Sequence, residues 1–149
     1  MKETILLVDD DRSVRESVAR LLEVEGYEVQ CAATGDEALQ IVRTLPVQLV
    51  LLDVNLPVQN GWKVYEELEG RNPSLPVIII TARPNQWWRA AATGVEALME
   101  KPLDFTKLLK TIEMLLQRPL ANGMQDPFSK PFRFVPPLRE TEEFPPGKD

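Results

Sequence analysis

Short apolar runs alternate with stretches of helical period along most of the chain. Ile5-Leu6-Leu7-Val8 reads as a buried strand. Residues 12–25 place Val14, Val18, Leu21 and Leu22 at helical spacing, and Gly26 is a C-terminal stop. A second strand is predicted over 27–32. Thr34-Gly35-Asp36-Glu37 fits a capping box that opens a helix running to about Thr44, before Pro46. Gln48 to Leu52 reads as a third strand, 62–69 as a short helix closed by Gly70 and Pro73, and Val77-Ile78-Ile79-Ile80 as a fourth, β-branched strand. A weak helix over about 85–93 and a weak strand at Ala97-Leu98-Met99 follow. Asp104 caps a last helix, whose stripe is Phe105, Leu108, Leu109, Ile112, Leu115 and Leu116.

The order is βα five times over. Strands that are apolar on both faces, separated by amphipathic helices, imply a doubly wound parallel sheet of five strands with helices on both sides. Residues 1–118 are one domain in this reading. At Pro119 the composition shifts. Seven of the 13 prolines fall between there and Asp149, and no strand or helix period survives. Residues 119–149 are therefore read as a Pro-rich tail. It is either flexible or docked on the domain, a second copy or a partner through Phe128, Phe132, Phe134 and Phe144.

Composition narrows the chemistry. The chain has 149 residues and a formal net charge of -6, which disfavours nonspecific contact with nucleic acid or acidic membranes. One cysteine, Cys31, excludes an internal disulfide and fits a reducing compartment. No apolar run reaches the ~20 residues that span a bilayer, and Met1-Lys2-Glu3-Thr4 runs straight into the first strand with no signal peptide. The expected location is the cytoplasm. With no histidine, His-based zinc sites and Ser-His or Cys-His nucleophile pairs are excluded. Carboxylates, hydroxyls, lysine or a bound ion must do the work.

In an open parallel sheet, ligands bind beyond the C-terminal strand ends. Strand one ends in Asp9-Asp10-Asp11, strand three in Asp53, strand four in Thr81-Ala82 and strand five in Glu100-Lys101-Pro102. Each alone has an ordinary structural reading as a cap, a turn residue, a strand end or a solvated lysine. Together they put several carboxylates, one hydroxyl and one ammonium on a single edge. Carboxylates held close must share a proton or a cation. A small hard ion such as Mg²⁺ suits Asp9, Asp10 and Asp53. An Asp carboxylate can also attack phosphorus, with Lys101 and Thr81 offsetting charge on the phosphoryl oxygens.

Leu7-Val8-Asp9-Asp10-Asp11, Leu51-Leu52-Asp53-Val54-Asn55-Leu56-Pro57, Asn60-Gly61, Ile80-Thr81-Ala82 and Lys101-Pro102-Leu103 together resemble the receiver domains of two-component response regulators. The resemblance covers roughly residues 3–118. It implies the flavodoxin-like strand order 2-1-3-4-5 with five helices. It also implies Asp53 as phosphoacceptor, Asp9 and Asp10 as the Mg²⁺-organising pair and the Asn55 backbone carbonyl as a further metal ligand. Thr81 becomes the switch hydroxyl and Lys101 the phosphate-contacting lysine, with a cis Lys101–Pro102 bond.

The chain departs from that pattern at Leu98, where the family carries an aromatic ring, and in a short fourth-helix region containing Trp87-Trp88. These two rings either pack in the core or anchor a partner. Arg83, two residues after Thr81, and Asn55 are expected to modulate the lifetime of the acyl phosphate. The implied function is a chemotaxis-type, single-domain regulator rather than a turnover enzyme. It would be phosphorylated by a histidine kinase or histidine phosphotransfer protein. It would signal to a downstream protein through the fourth helix, fifth strand and fifth helix, and homodimerisation is open. Three alternatives stand beside this: a phosphorylation-independent adaptor, a phosphate sink or relay, and a phosphohydrolase of the haloacid-dehalogenase type. The last wants a second Asp where Asn55 stands.

Overall fold

The computed structural model describes residues 2–116 and 132–138. Its elements are β1 (Thr4–Val8), α1 (Arg12–Val24), β2 (Glu28–Ala32), α2 (Gly35–Thr44), β3 (Leu49–Asp53), α3 (Gly61–Arg71), β4 (Val77–Thr81), α4 (Trp87–Thr93), β5 (Ala97–Glu100), α5 (Phe105–Leu116) and β6 (Arg133–Val135). All strand pairs are parallel, in the order β2-β1-β3-β4-β5-β6. The doubly wound architecture and the 2-1-3-4-5 order are as expected.

The central strands are buried on both faces, as continuous apolar runs require. Every residue of β3 and β4 is buried. Side-chain alternation then divides the core in two. Leu6, Val8, Val50, Leu52, Ile79 and Leu98 face one layer with Leu39, Val64 and Leu68 of α2 and α3. Ile5, Leu7, Leu49, Leu51, Ile78 and Ile80 face the other with Val18, Leu22, Leu108 and Ile112 of α1 and α5.

Local chemistry sets the helix ends. The Asp11 carboxylate accepts from the amides of Ser13 and Val14 and caps α1. Gly26 then adopts φ +100°, the left-handed region that stops the chain after α1. Thr34 caps α2 through the Glu37 amide, and Glu37 returns the bond to the amide of Ala33 rather than to Thr34 itself. Asn60 caps α3, and Asp104 accepts from the Lys107 amide at the start of α5. α4 is short, with seven residues, as its sequence suggests.

One expectation is corrected and one open alternative is decided. The sheet has a sixth strand drawn from the Pro-rich segment, where no strand was expected. Arg133, Phe134 and Val135 lie in parallel register with Ala97, Leu98 and Met99. Three residues are too short to carry a period, so the open edge of β5 decides the pairing rather than local pattern. Trp87 and Trp88 do not enter the core: they are 50% and 61% exposed. The remainder of the predicted tail, Phe128 and Phe144 included, lies outside the described residues. Among the described residues no helix is long and apolar enough to cross a membrane.

Candidate functional site: an acidic pocket at the strand ends

The register places the ends of β1, β3, β4 and β5 side by side. Leu52 pairs with Val8 and Ile79, while Asp53 pairs with Ile80 and Thr81 with Glu100. Each strand stops where its sequence turns polar, so the first polar residues meet at one rim. Asp9 is fully buried, Asp53 is 3% exposed, Thr81 is fully buried and Asp10 is exposed.

Lys101 is the charge at the centre. Its Nζ lies 2.9 Å from Asp9 Oδ2 and 3.2 Å from Asp53 Oδ2. The backbone N–H of Lys101 donates to the Thr81 carbonyl at 2.8 Å, which fixes where the side chain departs. The Lys101–Pro102 peptide bond is cis, as expected. Burial by itself disfavours the ammonium. The hydrogen bond that the ammonium donates to Asp9 and the charges of Asp53 and Asp9 more than offset that and hold Lys101 above its ordinary value. Asp53 is pushed up by burial and by the neighbouring Asp9 charge, against the opposing Asn55 amide and Lys101.

One ligand oxygen each from Asp9, Asp10 and Asp53 can lie within 4.8 Å of one another. A cluster of hard oxygen donors, two of them on buried side chains, fits a small divalent ion that keeps part of its hydration shell. Asn55 is placed by its own amide, which donates to Asp53 Oδ1 at 2.8 Å. Its side chain does something the sequence does not reveal. Asn55 Oδ1 accepts from the Thr81 hydroxyl at 3.1 Å and from the Ala82 amide at 3.3 Å, tying the β3 loop to the β4 loop. The Thr81 hydroxyl also accepts from the Arg83 amide at 3.0 Å. Arg83 lines a polar cleft beside the site with Asn55, Asn60, Trp62, Gln86 and Arg89. The Arg89 guanidinium stacks 4.8 Å from the Trp62 ring centre. Leu98 is fully buried in the core and does not reach the pocket rim.

Two supporting residues escape sequence reading. Arg15 donates to the Asp9 backbone carbonyl at 2.8 Å, bracing the acidic loop from α1. Gly61 packs its Cα face against the backbone at the end of β3: an added Cβ would collide with Val54 Cα and lie 2.7 Å from the Asp53 carbonyl oxygen. The Asn60-Gly61 pair stood out only through the family resemblance, and the tertiary contact shows why glycine is needed there.

A parallel sheet with an acidic pocket at its C-terminal strand ends defines the class of α/β domain, and the comparisons identify the family. The sequence matches the family model for the response regulator receiver domain over residues 5–113. It is 38% identical over 120 residues to the response regulator MprA of Mycobacterium tuberculosis, a match covering 79% of this chain and 52% of that protein. This chain spans about half the length of the curated relatives it matches. Among solved structures, a CheY-like receiver domain from Methanospirillum hungatei superposes with a TM-score of 0.74 at 31% identity, covering 78% of this chain and 94% of the other. The response regulator TrrA of Thermotoga maritima, in complex with Mg²⁺ and beryllofluoride, superposes at 0.71 with 28% identity, covering 76% and 98%. The chain belongs to the receiver-domain family of two-component response regulators.

Proposed function

We propose that this receiver takes a phosphoryl group onto Asp53 from a phosphohistidine of a histidine kinase or phosphotransfer protein. The observation that carries the reading is the triangle of buried Asp9 and Asp53 with half-buried Lys101, whose Nζ lies within 3.2 Å of both carboxylates. Asp9, Asp10, Asp53 and the Asn55 carbonyl would hold Mg²⁺, which when bound supplies positive charge to the phosphoryl oxygens. An Asp53 carboxylate oxygen attacks phosphorus in line. The O–P bond forms as the P–N bond breaks, and its electron pair returns to the imidazole nitrogen. Burial keeps Asp53 more basic than an ordinary aspartate and so a better nucleophile once ionised.

Lys101 is already hydrogen-bonded to Asp53 and needs only a small shift to meet an oxygen of the new phosphoryl group. Thr81 changes partner in this reading. Its hydroxyl now donates to Asn55, and it must leave that partner to donate to the phosphoryl group. That exchange biases the α4, β5 and α5 face between two populations. Output is by protein contact through that face, in the cytoplasm. The protein catalyses only its own phosphorylation and dephosphorylation. An apolar groove lined by Val14, Val18, Leu103 and Phe105 beside Lys101 gives the donor protein a place to rest.

The test is incubation with Mg²⁺ and a small-molecule phosphodonor, followed by intact mass. A single added phosphoryl group, dependent on Mg²⁺ and absent in Asp53→Asn, supports the reading. A folded wild-type protein that stays unmodified with both small donors and a phosphohistidine protein contradicts it.

A further inference from the structure

The sixth strand belongs to a segment beyond the 5–113 region that the family shares. It is held along three of the four residues of β5 and by a bond on either side of that strand. The Arg133 amide donates to the Glu96 carbonyl at 3.1 Å, just before β5 begins. Arg133 to Val135 then run in register with Ala97 to Met99. The Leu138 amide donates to the Pro102 carbonyl at 2.9 Å, just after β5 ends. The segment also grips both layers of the core. Val135 is buried against the layer containing Leu108 and Ile112, and Phe132 packs on the layer containing Ala90 and Leu98. Arg133 reaches the Met114 sulfur on α5 at 3.0 Å. Pro136-Pro137 stiffen the path between the buried Val135 and the bond to Pro102.

The last anchor matters most. Pro102 adjoins Lys101, the ammonium that bridges Asp9 and Asp53. The strap thus fastens, by one end, the turn that carries the central charge of the site. We infer that residues 132–138 are a cis-acting ligand of the receiver, docked in the resting state and released when Asp53 is phosphorylated. This rests on Asp53 being the phosphoacceptor. The docked strap is seen with Lys101 paired to both carboxylates and the Thr81 hydroxyl on Asn55. In this proposal the shift of Lys101 toward a phosphoryl group on Asp53, small as it is, is passed to the adjoining 101–102 turn, to which Leu138 is bonded. Arrangements that disturb the anchor bind the strap less well, and by linkage the strap opposes those arrangements to the same degree. Release opens the edge of β5 and its backbone groups to an incoming extended strand, which the docked strap excludes.

The experiment uses the full chain. Hydrogen exchange is followed in the peptide containing residues 132–138, before and after Mg²⁺-dependent phosphorylation by a small acyl phosphate, with incorporation checked by intact mass. Exchange there is expected to quicken by roughly fivefold or more, the low end of ordinary coupling, and to stay unchanged in Asp53→Asn. Reciprocity gives the second arm. Leu138→Pro, which removes the amide that bonds Pro102, and Val135→Asp, which expels the buried anchor, should both phosphorylate more readily than wild type. Val135→Ile should behave as wild type. Leu138→Pro keeps the test open if Val135→Asp fails to fold. Normal phosphorylation with unchanged or slower exchange at 132–138 overturns the strap alone, as does a Leu138→Pro variant that phosphorylates at the wild-type rate. No phosphorylation of the folded full chain overturns the strap together with the assignment of Asp53.

Discussion

Replacing Asp53 by Asn should stabilise the protein in metal-free buffer at neutral pH and abolish its response to Mg²⁺. Asp9 and Asp53 are both buried, with exposures of 0% and 3%. Lys101 alone bridges them, so two buried carboxylates and one ammonium leave a net charge of -1 in the cluster. Burial, helped by Asp9, raises the Asp53 carboxyl above its ordinary value. A carboxyl raised on folding contributes stability at pH below its unfolded value, where both states hold the proton. That contribution is lost as pH rises through the folded value. At neutral pH the ionised Asp53 therefore costs stability, about 1.4 kcal/mol for each unit of upward shift.

Asn keeps the volume and the oxygen that accepts from the Asn55 amide, and Lys101 keeps Asp9. The expected outcome is a higher melting temperature for the variant, by about 2–4 °C for each kcal/mol of relief in a chain of this size. Thermal unfolding in EDTA at neutral pH and near pH 5 reads it, and the difference between variant and wild type should shrink at the lower pH. Mg²⁺ at about ten times its dissociation constant should then stabilise the wild type by ~1.4 kcal/mol and the variant by much less. An Asn variant that melts below wild type at neutral pH in EDTA, or that gains as much from Mg²⁺, would refute this account of the pocket.

Three further outcomes follow from the same geometry. Gly61→Ala should destabilise by about 1–3 kcal/mol, because the backbone of Val54 and the Asp53 carbonyl cannot yield to a new methyl group; thermal melts measure the loss. Lys101→Gln should slow phosphorylation by a small donor by ~10²-fold, the usual effect of losing one donor to a developing charge, without lowering Mg²⁺ affinity in a metal titration; equal loss of both would mean that Lys101 only holds the pocket together. Asn55→Ala removes the acceptor that holds the Thr81 hydroxyl and the Ala82 amide. It should speed amide exchange in residues 81–83 while leaving β3 protected, and unchanged exchange there would show that the two loops are not tied through Asn55.

The site was legible in the sequence for a local reason. Each of β1, β3, β4 and β5 is a short, mainly apolar run that gives way to polar residues, so a parallel sheet in any sensible register brings Asp9, Asp53, Thr81 and Lys101 to one rim. Helix ends were equally local, because caps such as Thr34 and Asp104 bond amides three residues away. Contacts between distant segments were not legible. Trp87 and Trp88 could have filled the core or faced out, and nothing within α4 distinguishes the two. Arg15 bracing the Asp9 carbonyl, the Asn55 side chain holding Thr81, and the backbone contact that demands glycine at 61 each depend on where two loops meet. The sixth strand is the extreme case. Three residues among prolines carry no period of their own, and they become a strand only because β5 offers an unpaired edge between Glu96 and Pro102. Hydrophobic period and strand-end chemistry, which act over a few residues, are written along the chain. Edge pairing and close backbone approach exist only once the sheet has formed.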